Sequence, residues 1–212
     1  MNYYQEITLL PDAEISLGFI WQKVFQQVHI ALVDNKNADN TSSVAVGFPQ
    51  YRKAKFPLGS KLRLFAESEQ DLEKLNITKW LSRLEDYAHI KAIKAVPDET
   101  QYVSFVRKSV KSAARIEKDM QDKVRLRAKH TGESIEQCIA VLEKTKPDVK
   151  RELPFIFLHS QETKQRSPNA KSKFPLFIEL KSTKQQQSGV FDCYGLSAKN
   201  VNGGQNATVP HF

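Results

Sequence analysis

From Arg107 to Lys129 the chain reads RKSVKSAARIEKDMQDKVRLRAK, a stretch with no Pro and no Gly. Ala, Arg, Lys, Met, Gln and Leu dominate it, all of them good helix formers, and Gly132 stands where a helix would stop. The spacing predicts one long helix. At about 100° per residue, Val110, Ala113, Ile116, Met120, Val124 and Ala128 fall on one side, and Lys108, Lys111, Arg115, Lys118, Arg125 and Lys129 on the other. Nine Lys or Arg face only Glu117, Asp119 and Asp122. A solvated helix face ordinarily mixes both signs; a face so nearly of one sign points to a polyanion. Leu126 on the basic face and Arg127 on the apolar one blur the pattern near its end.

The whole chain leans the same way. Its 212 residues carry a net charge of +8, and the pI is near 9.4. The anionic partners open to such a chain are nucleic acid, a membrane surface or an acidic protein. The helix's apolar face is Ala, Val, Ile and Met without Trp or Phe, which favours packing on protein over insertion into lipid. No apolar run is long enough to span a bilayer, and MNYYQEITLL lacks the basic start and apolar centre of a signal peptide. A cytoplasmic protein is expected, with Cys138 on a helix and Cys193 in a strand as free thiols. Two Cys and five scattered His give no metal-ligand spacing, so neither a structural metal nor a cofactor is expected.

Residues 2–10 alternate as a strand, Tyr3, Ile7 and Leu9 against Tyr4, Glu6 and Thr8. Ser16 is a candidate cap for a helix whose stripe runs through Leu17, Ile20, Trp21, Val24, Phe25, Val28, Ala31 and Leu32. Short strands follow around Val44–Phe48 and Leu62–Ala66. Ser68 and Thr78 each cap a short helical piece, and a strand over 88–96 ends at Pro97. The order β-α-β-β-α-β is that of the ferredoxin-like split βαβ unit, and it predicts an α+β protein. A boundary near 97 separates this unit from a mixed α/β domain over 98–212. That second part contains a strand at 101–107, the basic helix, a capping-box helix from Ser134, strands over 153–159 and 173–181, and a last short strand.

His29 lies at the margin of the first helix's apolar stripe, one turn after Phe25. A partly desolvated imidazole suits proton transfer near neutral pH, although a lone His there is more often a half-buried structural residue. His89, His130, His159 and His211 have no comparable setting, and no cluster of acids would hold Mg²⁺. RNA cleavage by such a chain would use the RNA's own 2′-OH. That attack needs a base, a group to orient the hydroxyl, and cations or donors near the phosphate.

The blocks YVSFVRKSVKS with the basic helix, LPFIFLHSQET, FPLFIEL, CYGLS and VPHF, in that order, together with YYQEITLLPD, VHIALV around His29 and VGFP, cover essentially the whole chain. They resemble the repeat-processing endoribonuclease of type I-F CRISPR systems. The resemblance implies a metal-independent endoribonuclease that cuts CRISPR precursor RNA at the base of a repeat stem-loop. It would leave 2′,3′-cyclic phosphate and 5′-OH ends. It implies His29 as the base, Ser160 positioning the 2′-OH, and Tyr194 holding the His and phosphate region. Phe174 would stack on the base pair at the foot of the hairpin, and Arg107 would read a guanine edge. Arg115, Lys118, Lys123, Arg125 and Lys129 would meet phosphates or bases along the helix. The enzyme would stay on the mature guide RNA with the other subunits of a surveillance complex, without direct DNA contact and without a membrane. A non-catalytic hairpin-binding subunit of such a complex is the alternative.

The chain also departs from that family's pattern. Ser109 stands where the family pairs a Gln with the guanine-reading Arg, so the second contact passes to another base pair or to Lys108 or Lys111. Lys replaces several Arg along a helix about five residues longer, and Lys lacks the planar fork of Arg. Glu162 replaces a Ser, and a longer loop adds Lys164, Arg166, Lys171 and Lys173 near the cleavage end.

Overall fold

Strand β1 (Tyr3–Leu9) pairs antiparallel on both sides, and the first sheet forms around it. The computed structural model describes residues 1–111, 113–145, 153–160, 166, 172–198 and 205–212. After β1 come helix α1 (Leu17–Asp34), strands β2 (Ala45–Gly47) and β3 (Lys61–Ala66), short helices α2 (Glu69–Leu75) and α3 (Ile77–Leu81), and strands β4 (Ala88–Ile90) and β5 (Lys94–Ala95). The sheet order is β2-β3-β1-β4, with β5 also on β1 and every pairing antiparallel. The strand expected over 88–96 is thus two pieces on one partner. A second antiparallel sheet has the order β7-β8-β6-β9, from β6 (Gln101–Lys108), β7 (Phe155–His159), β8 (Lys173–Thr183) and β9 (Val209–His211). The protein is therefore α+β. Among the described residues no helix is long and apolar enough to cross a membrane.

The chain divides into two compact units, Met1–Lys108 with Pro154–Phe212, and Ser109–Leu153. The expected boundary near 97 does separate the strands of the two sheets, yet it falls inside the first unit. The reason is packing. Helix α1 buries Ile20, Trp21, Val24, Phe25, Val28, Ala31 and Leu32, and one apolar core takes in Leu62, Leu64 and Phe65 of the first sheet with Phe105, Leu158, Leu176 and Ile178 of the second. Phe48 meets Phe105 edge-on at 5.1 Å, and Tyr51 donates to the Ile178 carbonyl at 2.8 Å. A core shared by both sheets removes apolar area from water that neither sheet could bury alone.

The local signals mostly hold. Ser68 accepts from the Asp71 amide, and Ser134 and Gln137 form a complete capping box at α5 (Ile135–Glu143). Two do not. Ser16 makes no side-chain cap; Asp12 instead accepts the amides of Glu14 and Ile15. Thr78 lies inside α3, which follows Asn76 at φ 46°.

In the second unit the basic helix α4 spans Ala113–Thr131. It starts later than expected because Arg107 and Lys108 pair with Ile178 and Phe177 across β6 and β8, where the sheet takes their hydrogen bonds. Ile116, Met120 and Val124 are its buried stripe, while Ala113 is exposed and Val110 lies before the helix. Cys138 of α5 is buried, with its Sγ 3.7 Å from Glu133.

Candidate active site

The segment after Val190 is a turn, not the strand expected around Cys193. Asp192 Oδ1 accepts the amides of Tyr194 and Leu196 at 2.8 and 3.0 Å, an Asx-type turn that competes with sheet pairing. Gly195 takes φ +68°, and a Cβ there would stand 2.7 Å from Val46 Cγ1, so the turn requires glycine. The Gly195 carbonyl accepts from the Val46 amide at 2.9 Å and pins the turn to β2.

This turn aims the Cys193 carbonyl at His29. The carbonyl lies 2.8 Å from His29 Nδ1. A carbonyl only accepts, so Nδ1 carries the ring proton and Nε2 is the basic nitrogen. The Tyr194 ring stacks on the imidazole at 4.2 Å and 12°. The Arg107 guanidinium lies 5.3 Å from the Tyr194 ring and 5.9 Å from the Phe174 ring. Burial lowers the His29 pKa from its ordinary 6.5, the Cys193 carbonyl opposes this, and the Arg107 charge lowers it further. Burial raises the Tyr194 phenol, against the pull of Arg107. Burial also pushes the Asp192 carboxyl up, while the two amides and Arg107 oppose it. The first unit thus brings four expected site residues together: His29, Tyr194, Arg107 and Phe174.

Ser160 follows β7, and its amide donates to the Ser172 carbonyl at 2.9 Å. Its neighbour His159 has the setting that the sequence reading denied it. The His159 amide donates to Gln26 Oε1 at 2.8 Å. Gln22 Nε2 donates to His159 Nε2 at 3.2 Å, which leaves the ring proton on Nδ1, 3.3 Å from Ser172 Oγ. Among the described residues β7 pairs with β8 alone, and Gln26 takes up an amide on its other edge. Gln26 Nε2 is itself buried and has no hydrogen-bond partner among the described residues. Gln22, Gln26 and His29 recur at i, i+4 and i+7 along α1, so the helix that carries the imidazole also holds the strand that leads into Ser160. That polar stripe beside the apolar one was the available signal.

The remaining expected contacts lie in the second unit or just before α4. Arg115, Lys118, Lys123, Arg125 and Lys129 are exposed, as are Ser109 and Lys111. Asp119 pairs with Lys111 at 2.6 Å and with Arg115 at 3.0 Å, so both cations are partly compensated. Arg127, the cation on the apolar side, pairs with Glu133 at 2.8 Å. Lys108 belongs to β6 and reaches Glu179 at 3.3 Å. Lys173 and Arg166 are exposed, while Glu162, Lys164 and Lys171 lie outside the described residues.

A neutral imidazole whose Nε2 is the basic nitrogen, with a phenol on its face and a guanidinium close by, can take a proton from a hydroxyl while holding an anion. Residues 4–212 match the family described as CRISPR-associated protein (Cas_Csy4). The chain is 30% identical to the CRISPR-associated endonuclease Cas6/Csy4 of Pseudomonas aeruginosa strain UCBPP-PA14, over 93% of this chain and 96% of that one. It is 30% identical to the CRISPR-associated endonuclease Cas6/Csy4 of Escherichia coli strain UTI89, over the full length of both. Matched across nearly its whole length, the chain belongs to the Cas_Csy4 family of CRISPR-associated proteins.

Proposed function

We propose that this endoribonuclease of CRISPR RNA processing cuts its precursor at the 3′ foot of the repeat stem-loop, with the RNA's own 2′-OH as nucleophile. The observation that carries the reading is the His29 Nδ1 contact with the Cys193 carbonyl, 2.8 Å long. It makes Nε2 the base. His29 takes the 2′-OH proton, O2′ bonds to the adjacent phosphorus, and the P–O5′ bond breaks. The 5′-oxygen leaves as a hydroxyl with a proton from solvent water, to which His29 returns the proton it took, and the upstream end is a 2′,3′-cyclic phosphate. Arg107 offers charge to the developing phosphorane, Tyr194 holds the imidazole plane, and Ser160 orients the 2′-OH. Phe174 stacks at the foot of the stem. The exposed cations of α4, with Arg107, Lys108, Ser109 and Lys111 before it, meet the duplex through phosphates and shape, as A-form RNA demands.

We read residues 1–97 as a ferredoxin-like lobe, on the strength of the β-α-β-β-α-β order and the antiparallel sheet β2-β3-β1-β4. Residues 98–212 then form the hairpin-binding part. The enzyme stays on its product hairpin as a subunit of the guide complex in the cytoplasm. The test is single-turnover cleavage in EDTA with analysis of the product ends. Cyclic phosphate and 5′-OH ends at an undiminished rate are expected. Loss of cutting in EDTA, or 3′-OH and 5′-phosphate ends, overturns the mechanism.

Gln26 acts as a positioning residue in this reading. Gln26→Leu removes the acceptor for the His159 amide and lets Ser160 drift, so single-turnover cleavage is expected to fall about ten- to a hundredfold. Hairpin affinity should stay unchanged. Gln26→Glu keeps the acceptor and is expected to restore most of the rate. Equal losses of rate and affinity in Gln26→Leu would make its role structural only.

A further inference from the structure

The two faces of the β7–β8 pair differ in a way the core does not require. Ile156, Leu158, Leu176 and Ile178 point into the core and are 0–2% exposed. The opposite face carries Phe155 and Phe157, 39% and 40% exposed, with Phe177 beside them. Phe155 lies 5.1 Å from Phe157 and 5.3 Å from Phe177, ring centre to ring centre. Lys173 Nζ sits 4.4 Å above the Phe157 ring. The solvent face of an antiparallel sheet is ordinarily polar, so three phenylalanines in contact there form a surface that costs solubility unless it is used.

We propose that this outer face of β7 and β8 is a stacking platform for the unpaired RNA strand that continues 3′ of the cut. The proposal rests on the reading that the cut lies beside Ser160. Three observations favour RNA as the occupant. The first is charge. Lys173 sits over Phe157, Lys108 lies opposite Phe177 and Lys181 follows on the same face; among the described residues of that face the one acid is Glu179, which Lys108 already pairs, so the face is cationic and fits a polyanion. The second is chemistry. Aromatic rings interleaved with lysines hold single strands of any sequence, because every base has a π-face. The third is continuity. Strand β7 runs directly into Ser160, and β8 carries Phe174 next to Lys173 on alternating faces. Phe157 is three residues from Ser160, about 10 Å along an extended strand. Phe174 lies on the other face of this pair, so a strand leaving the cut rounds the end of β7 and then meets Phe157 first and Phe155 next.

The experiment compares two hairpins by fluorescence anisotropy. Both carry a 2′-deoxy sugar at the cut so that neither is cleaved, and one continues with several unpaired nucleotides on its 3′ side. Wild-type protein is expected to bind the tailed hairpin more tightly. The double variant Phe155→Leu/Phe157→Leu keeps apolar bulk but loses the π-faces. It should lose that margin, about tenfold per stacked base, while binding the tail-less hairpin as the wild type does. No tail advantage in the wild type, or a margin that survives in the variant, overturns the platform. A variant that keeps the margin but no longer assembles with other subunits makes the face a protein contact instead. Equal loss on both RNAs assigns the rings to packing. Failure of the underlying reading shows separately: His29→Ala would then cut the all-ribose tailed RNA at the wild-type rate, whatever the tail does to binding.

Discussion

His29→Ala is expected to lower single-turnover cleavage about a thousandfold while leaving hairpin affinity within a fewfold of wild type. General-base catalysis contributes about 10²–10⁴ in rate, and the loss should sit near the middle because Arg107 and the bound geometry remain. Affinity should persist because the exposed cations of α4 do not depend on the imidazole. The pH profile separates this role from a structural one. The active form is neutral His29, and its pKa is lowered, first by burial and then by the Arg107 charge, against the Cys193 carbonyl. The wild-type rate should therefore be flat at neutral pH and fall only in acid, with a midpoint below the ordinary 6.5. Below that midpoint the ring is protonated and cannot accept the 2′-OH proton. The small residual rate of His29→Ala should lack this inflection. A variant that cuts at the wild-type rate, or a wild-type midpoint well above 6.5, sinks the assignment.

Elements with strong local signals were legible, and those set by distant contacts were not. The stripe of α1 recurs at helical spacing, and seven of its residues are buried as read. The capping box at Ser134 needs only a Ser and a Gln three apart, and it is complete. The start of the basic helix was misread because Arg107 and Lys108 have helical neighbours in sequence but sheet partners in space. Helix propensity spans only about 0.7 kcal/mol per ordinary residue, and sheet pairing overrides it easily. His29 and Tyr194 could be named through resemblance, but the device joining them could not. The Cys193 carbonyl reaches Nδ1 from 164 residues away, and a main-chain acceptor leaves no trace in residue identity. Gln22 and Gln26 were overlooked for a similar cause. Polar residues at a stripe margin read as solvent-facing until a strand edge is placed against them.

Glu6→Gln is expected to destabilise the fold by about 2 kcal/mol at neutral pH, although alternation along β1 puts Glu6 on the polar side with Tyr4 and Thr8. The carboxylate is 3% exposed. It accepts from Arg63 Nε at 3.0 Å and Lys91 Nζ at 2.8 Å, with Lys61 at 3.3 Å. Arg63 also donates to the Phe212 main-chain oxygen and lies 3.9 Å over the Phe212 ring, so β1, β3 and the last residue meet at this charge. Burial alone would raise the Glu6 pKa; the hydrogen bonds from Lys91 and Arg63 and the charges of Arg63 and Lys61 overcome it and bring it from 4.5 to about 2. A folded pKa below the unfolded one gives stability that is fully present above 4.5 and lost as pH falls toward 2. A shift of that size corresponds to about 3 kcal/mol, and solvent at Lys61 and Lys91, 33% and 45% exposed, screens part of it, which leaves about 2 kcal/mol. Glutamine resembles the protonated acid, so the variant should start where acid takes the wild type. Denaturant unfolding at pH 7 and again near pH 3 reads the difference. The gap between the two proteins should be widest at pH 7 and narrow in acid, because only the wild type has this charge to lose. A gap that stays constant from pH 7 to pH 3 would place the stabilisation in packing and not in the charge. No gap at pH 7 would mean that desolvation cancels the three cations.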